Sequence, residues 1–245
     1  MLIDLDRFKH VNDTLGHPAG DQLLKQVAER VVRIVGDRES VFRLGGDEFQ
    51  VIIQNNENRG ILGDLATDII RTISQPYLIE GSRCIIGASI GIAVAPLDGG
   101  SKDELIRNAD LALYASKGAG RGRFRFFSSE LLKDAENKRT LEEDLREALA
   151  RGELSIGYQP IVNARTNRMT GVEALVRWRH PVRGDVSPAL FIPIAEEAGI
   201  VGQIGEWVLR KARAGDHRGR FPQPVNRYGH RLFGAEGAGR AIGAR

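Results

Sequence analysis

Acidic side chains stand near the start of the chain at two places where the sequence also predicts strands. Asp4 ends a predicted strand that starts at Met1, and Asp47 and Glu48 follow Gly45-Gly46 in a predicted hairpin turn. If the hairpin lies beside the first strand, these carboxylates converge at one edge of a sheet. Hard oxygen ligands suit Mg²⁺ or Mn²⁺, and Mg²⁺ in particular keeps several waters and shares substrate phosphates. The pattern favours metal-assisted phosphoryl displacement, although an ordinary hairpin with solvated acids is an open alternative.

The elements that must hold these side chains follow from apolar periodicity and turn residues. Ser101 and Glu104 have the spacing of a capping box, which predicts a helix to about Lys117. The other predicted elements up to residue 127 are a strand at 1–5, a helix at 20–35, strands at 41–44 and 49–53, a helix at 61–74, strands at 77–80 and 83–95, and a strand at 124–127. Together they predict an α/β sandwich with helices against a mixed sheet.

A second unit is predicted to follow a charged helix. The helix covers 128–150, and strands at 155–162 and 169–179 and helices at 188–198 and 203–212 come after it. Beyond about residue 215 Gly, Arg and Pro dominate, which predicts an irregular or disordered tail. The expected divisions are 1–127, a connecting helix at 128–152, a second domain at 153–214, and the tail at 215–245.

Bulk composition narrows the class of protein. The 245 residues are 42% hydrophobic and 27% charged, as in globular proteins, with a net charge of only +3 from 35 basic and 32 acidic residues. That balance does not indicate a nucleic-acid binder. No apolar run approaches the ~20 residues of a membrane-spanning helix. The single cysteine, Cys84, excludes a disulfide framework and fits a cytoplasmic location.

Several motifs flank the acidic turn in a fixed order. They are Asp4–Asp13, Gly16-His17, Gly20-Asp21, Phe42–Leu44 running into the turn Gly45–Phe49, Ala88–Ala93 and Ala109–Lys117. Together they resemble the GGDEF diguanylate cyclase family, over residues 1–127. The resemblance implies a nucleotidyl-cyclase or palm-like α/β sandwich with a mixed sheet. It also implies that a helix and an Asp-x-Leu-Thr-Gly-Leu-x-Asn-Arg segment would precede the first strand.

The resemblance implies a role for each matching acid. Asp4, Asp47 and the main-chain carbonyl of Leu5 match the family's ligands for Mg²⁺ (or Mn²⁺). Asp47 also matches the residue that deprotonates the attacking 3′-hydroxyl, and Glu48 matches an acid that assists metal or nucleotide binding. Lys9 matches a transition-state stabiliser, whose charge would offset that of the departing pyrophosphate.

Four further residues match nucleotide contacts of the family. Asn12 and Asp21 match the residues that bind guanine, and a carboxylate can accept from its N1–H and exocyclic amine. The alternatives without a role in binding are that Asn12 is a turn residue and that Asp21 is a helix N-cap. Lys117 and Arg121 match phosphate contacts, and a favourable cationic helix C-terminus is the alternative for both.

The implied reaction condenses two GTP into cyclic di-GMP and releases two pyrophosphates. Each domain holds one GTP, so a homodimer is expected to be needed. The family's inhibitory product site is an Arg-x-x-Asp motif, and Gly36 and Glu39 stand at its ends here. Product feedback by that route is therefore not expected. The alternatives are a non-catalytic module that binds GTP or cyclic di-GMP, and an inactive fragment of a tandem protein.

The second unit resembles the start of an EAL phosphodiesterase domain. The matching segments are Tyr158–Val162, Gly171–Pro181, Phe191–Glu196 and Gly205–Leu209. The resemblance implies that Glu173 is a metal ligand and that Arg177 holds a phosphate of cyclic di-GMP. A strand-end acid in a hairpin is the alternative for Glu173. The implied fold is the first part of an incomplete EAL TIM-type barrel.

We expect no phosphodiesterase activity from this chain. A TIM-type barrel needs roughly 250 residues, and the family's later acids, asparagine and lysine that complete the metal site have no counterpart in the sequence. Purified chain incubated with cyclic di-GMP and Mg²⁺ should leave the substrate intact, beside a reaction with an active EAL enzyme as positive control. Accumulation of the linear dinucleotide would contradict this expectation.

Overall fold

The computed structural model describes residues 1–37 and 40–216. They divide into an N-terminal unit, residues 1–135, and a C-terminal unit that begins at Glu136. The N-terminal unit contains β1 (Leu2–Asp6), α1 (Phe8–Leu15), α2 (His17–Val35), β2 (Val41–Gly45), β3 (Glu48–Val51), α3 (Arg59–Ile73), β4 (Tyr77–Ile79), β5 (Ser82–Cys84), β6 (Gly87–Ile92), α4 (Lys102–Gly118) and β7 (Phe124–Phe126). Helix α5 (Ser129–Arg151) spans the boundary.

A five-stranded sheet organises the N-terminal unit, in the order β2-β3-β1-β6-β7. Only β6 and β7 are parallel, so the predicted mixed sheet is confirmed. Side chains alternate across β1. Ile3 and Leu5 are fully buried in the main core together with residues of α1, α2 and α3. Asp4 and Asp6 face the other side, where α4 lies against the sheet.

Helix α4 is fixed at its start by local hydrogen bonds and along its length by close contact with the sheet. The capping box is confirmed, because Ser101 Oγ accepts from the Glu104 amide while the Glu104 carboxylate accepts from the Ser101 amide. The amides of Gly100 and Ser101 that donate to Glu104 lower the pKa of its carboxyl. A Cβ on Gly91 of β6 would lie 2.0 Å from the carbonyl oxygen of Ala109. Glycine is therefore what lets α4 lie so close to the sheet.

Three expectations about local structure in this unit need correction. The single strand predicted at 83–95 is two strands, because Ser82–Cys84 pairs with β4 whereas Gly87–Ile92 pairs with β1. Strand β1 continues to Asp6, so Asp4 is inside the strand and not at its end. The helix α1 was not predicted, since most of its eight residues are polar.

The C-terminal unit contains β8 (Leu154–Val162), β9 (Met169–His180), β10 (Gly184–Val186), α6 (Pro188–Glu197) and α7 (Val201–Asp216). The three strands form an antiparallel sheet in the order β10-β9-β8. Leu141, Leu145 and Ala148 of α5 are buried in the same core as Trp178. Hence α5 contributes a packed face to this unit and does more than connect. Strand β10 was not predicted.

Hydrogen bonds from two side chains hold the C-terminal end of β9. Trp178 is almost fully buried and its Nε1–H donates to Glu153 Oε2 over 2.9 Å. His180 Nε2 lies 3.0 Å from Asp144 Oδ2, and its Nδ1 accepts from the Val182 and Arg183 amides. These contacts join β9 to α5 and to the segment that precedes β8.

Within the residues that the structure describes, no helix has the length and apolar character that crossing a bilayer requires. Helix α7 continues to Asp216, so the irregular tail predicted at 215–245 does not begin at residue 215. The rest of that predicted tail and the position of Glu39 lie outside the described residues.

The contact between Gly91 and α4 predicts a large effect of a small substitution. Gly91→Ala should lower the free energy of unfolding of the N-terminal unit by about 3 kcal/mol, because its methyl group meets main-chain atoms that cannot rotate away. Hydrogen exchange of peptides from residues 1–135, measured across a urea series, would report this.

Gly118→Ala is the matched control, since no described atom lies within 4 Å of its Cβ. It should change the free energy of unfolding by less than about 1 kcal/mol. Equal effects of the two substitutions would show that α4 does not lie as close to β6 as the structure places it.

Candidate functional site

Asp4 is the centre of the site. It is paired across the sheet with Glu48 on β3 and with Ser89 on β6, so all three residues project on the face of α4. The Lys117 Nζ atom lies 2.6 Å from Asp4 Oδ2, and the side chains are 30% and 14% exposed. The structure thus brings a predicted metal ligand and a predicted phosphate contact into one ion pair. Lys117 also lies in the last turn of α4, where a cation is favourable for the helix. The structural alternative for Lys117 is therefore compatible with the phosphate contact.

Asp6 forms a second acidic anchor on the same face of β1. Its side chain is 6% exposed and accepts from Ser89 Oγ at 3.0 and 3.2 Å and from the Gly122 amide at 3.1 Å. The Nε atom of Arg121 is 3.8 Å from Asp6 Oδ1. Asp6 therefore ties the loop after α4 to the sheet. We had not singled out Asp6, although its spacing of two residues from Asp4 puts both on one strand face.

The glycine turn lies beside β1, which is the condition for the acids to converge. The Leu5 amide donates to the main-chain carbonyl of Asp47 over 3.2 Å. Gly46 has φ 52°, a left-handed conformation that favours glycine. The Arg43 guanidinium donates to the Gly46 carbonyl at 2.9 and 3.1 Å and so closes the turn. Asp47 is half-buried and Glu48 is exposed.

Helix α1 begins immediately after β1 and presents an unusual first turn. Arg7, the N-cap, has φ 67° and makes no side-chain cap hydrogen bond, and no acid lies in the first turn. The exposed Lys9 lies in that turn. First-turn amides without helical partners, together with the helix dipole, attract anions such as phosphate. Sequence analysis missed this feature because it had not predicted α1.

Asn12 and Asp21 lie on the paired helices α1 and α2, which Gly16 joins. The Asn12 Oδ1 atom is buried and accepts no hydrogen bond from any residue in the described part of the chain. Asn12 lies inside α1 and is therefore not a turn residue. Asp21 is the fifth residue of α2 and is therefore not the N-cap of that helix. Asp21 is exposed, and its neighbour Gly20 packs against Asn12.

The acids do not form a metal site of side chains alone. Among residues 1–37 and 40–216, no group of three or more His, Cys, Asp or Glu side chains is close enough to hold a metal ion. The ligand set inferred from the family is different, since it has two carboxylates and one main-chain carbonyl. A set of this kind leaves coordination positions for water and for substrate phosphates.

Glu173 and Arg177 lie on one face of β9 in the C-terminal unit. They pair with Gln159 and Ser155 of β8, so Glu173 is inside the strand and not at its end. Both line an open cavity of about 340 Å³ that is also lined by α6 residues such as Pro188 and Ile192. The structure therefore brings these two predicted residues to one concave surface.

Comparison with known protein families matches both units. The model of the diguanylate cyclase GGDEF domain matches residues 1–123, and the EAL domain model matches residues 142–226. The C-terminal match corresponds to a partial EAL region.

Named relatives and a solved structure agree with these matches. MucR of Pseudomonas aeruginosa, a bifunctional diguanylate cyclase/cyclic di-GMP phosphodiesterase, is 46% identical over 86% of this chain and 31% of its own length. NbdA of the same organism, a cyclic di-GMP phosphodiesterase, is 41% identical over 86% of this chain and 27% of its own length. The chain thus spans less than a third of these relatives. The GGDEF domain of TpbB (YfiN) from P. aeruginosa superposes with a TM-score of 0.52 at 36% identity, over 55% of this chain and 79% of that one.

The contacts of Asp6 predict that neutralising it loosens the loop at 118–123. Asp6→Asn replaces one accepting oxygen by an amide group, which leaves either the buried Ser89 hydroxyl or the partly buried Gly122 amide without its partner. We expect a loss of about 1–3 kcal/mol in unfolding free energy and faster hydrogen exchange at residues 118–126. Asp13→Asn, at an exposed position of α1, should change neither. Unchanged exchange in Asp6→Asn would mean that Asp6 does not hold the loop.

Proposed function

Because the chain belongs to the GGDEF diguanylate cyclase family, we propose that it condenses two molecules of GTP into cyclic di-GMP and releases two pyrophosphates. One observation carries the proposal. Asp4 lies on a strand whose next residue, Leu5, is hydrogen-bonded to Asp47 of the glycine turn, and the Lys117 ammonium is against the Asp4 carboxylate. These contacts support the proposal that acids able to bind a metal ion, and a lysine able to bind phosphate, serve one site at this edge of the sheet.

The residues present fit a divalent cation, Mg²⁺ or Mn²⁺. Asp4 already holds one cationic group at 2.6 Å, and Asp4, Asp47 and the Leu5 carbonyl offer the hard oxygen atoms that such ions prefer. Glu48, directly across the sheet from Asp4, would assist. When bound, the cation supplies charge neutralisation at the phosphate oxygens.

The helix pair α1–α2 is proposed to bind the guanine base. The Oδ1 of Asn12 is buried against Gly20, and we propose that the nitrogen at the other end of this amide contacts the base. The exposed carboxylate of Asp21 can accept from the N1–H and exocyclic amine of guanine, a pair of donors that adenine lacks. Base selection would therefore take place on helices that the main core holds in position.

The proposed chemical step is a displacement at the α-phosphorus. Asp47 accepts the proton of the 3′-hydroxyl, whose oxygen forms the new bond to phosphorus while the bond to the β-phosphate oxygen breaks. Lys9 and the first-turn amides of α1 stabilise the charge of the departing pyrophosphate, and Lys117 and Arg121 contact phosphate oxygens. Two such steps close the cyclic product.

The reaction implies a homodimer, since one domain holds one GTP and the 3′-hydroxyl of each nucleotide attacks the other. We place the reaction in the cytoplasm, where GTP is available. We propose residues 1–127 as the cyclase domain and residues 153–214 as the partial EAL domain. In the latter, Glu173 and Arg177 are proposed remnants of the metal and phosphate contacts.

A second candidate function is GTP or cyclic di-GMP binding without turnover. The relative NbdA is named only as a cyclic di-GMP phosphodiesterase although it aligns with 86% of this chain, and the cyclase family model matches residues 1–123, half of the chain. A protein similar to this chain over most of its length can therefore be named for the opposite activity. An inactive fragment is the third possibility.

We expect chain incubated with GTP and Mg²⁺ to form cyclic di-GMP, detected by liquid chromatography. Asp47→Ala should lower the rate by about 100-fold or more, because the proton acceptor and a metal ligand are lost together. The rate per chain should rise with protein concentration, since the product requires two domains.

Glu29→Ala is the matched control, as it removes an exposed acid of α2 away from the glycine turn. It should leave the rate unchanged. GTP binding without product, measured by equilibrium dialysis, would favour the second candidate over the cyclase. Neither binding nor product would identify an inactive fragment.

A further inference from the structure

Gly20 has no backbone reason to be glycine. It lies in the first half of α2 and is buried, and it does not have the positive φ that excludes other residues. Glycine inside a helix costs about 1 kcal/mol relative to alanine. The reason for glycine at this position must therefore be space.

The space at Gly20 is taken by Asn12. A Cβ on Gly20 would lie 1.8 Å from Asn12 Oδ1, a distance that real atoms do not reach, and 3.0 Å from Asn12 Cγ, which is tight. The next neighbour, Phe8 Cζ, would be at 3.3 Å, which a small movement of the ring relieves. A side chain at position 20 thus has one serious conflict, and it is with the amide of Asn12.

No hydrogen bond holds the Asn12 Oδ1 atom in place. It is buried without a hydrogen-bond partner among the described residues, so packing against Gly20 sets where this oxygen lies. An oxygen that no hydrogen bond holds is displaced when a methyl group fills its space. The orientation of Asn12 therefore depends on the absence of a side chain at position 20.

We propose that Gly20 is a positioning residue for base recognition: it holds the amide of Asn12 in the orientation that binds guanine. The inference rests on the proposed function, in which Asn12 contacts the base. Because Asp21 is the next residue, the same turn of α2 supplies one base contact directly and sets the second through Gly20.

A double-mutant cycle tests this role. The probes are the α,β-methylene analogues of GTP and ATP, in which the bond that must break is replaced, and affinity is measured on the full chain by calorimetry. Gly20→Ala and Asn12→Ala should each weaken GTP-analogue binding by about 10-fold. The double variant should bind no more weakly than Asn12→Ala alone, since the methyl group then fills the space that the amide has left.

The ATP analogue separates positioning from general damage. Its affinity should be the same in all variants, whereas a merely structural defect would weaken both nucleotides. Gly202→Ala, an exposed helical position with no described atom within 4 Å of its Cβ, should bind both analogues as wild type does. If Gly20→Ala alone does not fold, the comparison of Asn12→Ala with the double variant decides.

Three results would overturn the proposal: additive losses in the cycle, a double variant that does not fold, or a wild-type chain that does not bind the GTP analogue. The outcome is separate from that of the cyclase assay. If the double variant binds as weakly as Asn12→Ala but no cyclic di-GMP forms, the role of Gly20 stands and the cyclase function is wrong. If cyclic di-GMP forms but the two losses add, the cyclase function stands and the role of Gly20 is wrong.

Discussion

The N-terminal unit depends on the ion pairing and hydrogen bonding of two carboxylates on one face of its central strand. Asp4 and Asp6 are 14% and 6% exposed, and a charge removed from water is costly unless it is paired and hydrogen-bonded. Lys117 pairs with Asp4, while Ser89 and the Gly122 amide donate to Asp6. Those partners come from α4, β6 and the loop after α4, so the acids specify where these elements must lie.

This constraint connects fold and function. Helix α4 can supply Lys117 only because it lies on β6, where a glycine takes the place of a larger residue. The glycine turn reaches the same strand through the hydrogen bond from Leu5 to Asp47. The α1–α2 pair follows directly from the end of β1. A nucleotide bound with its phosphates near Asp4 and its base near Asn12 would therefore contact elements that all start from one strand.

Much of this arrangement could be predicted from the sequence, and the failures have physical causes. The α/β sandwich, the hairpin β2–β3 and the capped helix α4 follow from periodicity and turn residues, which are local signals. The pairing of that hairpin with β1 joins segments far apart in sequence and could only be assumed. Helix α1 was missed because its stability comes from Phe8 and Val11 packing on the core and not from a long apolar stripe. The break between β5 and β6 could not be predicted, because the two segments read as one continuous strand-like run. Only the structure shows that β5 pairs with β4 whereas β6 pairs with β1.

The distinction between local signals and long-range contacts also applies to the candidate site. The family's residues could be assigned from motifs, but the Asp4–Lys117 pair, the contacts of Asp6 and the packing of Asn12 on Gly20 join residues far apart in sequence or in different elements. In the C-terminal unit, Glu173 and Arg177 are four residues apart in β9 and therefore lie on one strand face. The α6 residues that also line their cavity come from a separate helix and could not be identified in that way.

The most direct test of the site is a crystal structure with Mn²⁺ and the α,β-methylene analogue of GTP, in which anomalous scattering locates the metal. We predict manganese bound by the carboxylates of Asp4 and Asp47 and the Leu5 carbonyl, with Lys117 moved to a phosphate oxygen and the base against Asn12 and Asp21. A nucleotide or manganese bound elsewhere, with Lys117 still paired to Asp4, would contradict the assignment of this sheet edge as the nucleotide site.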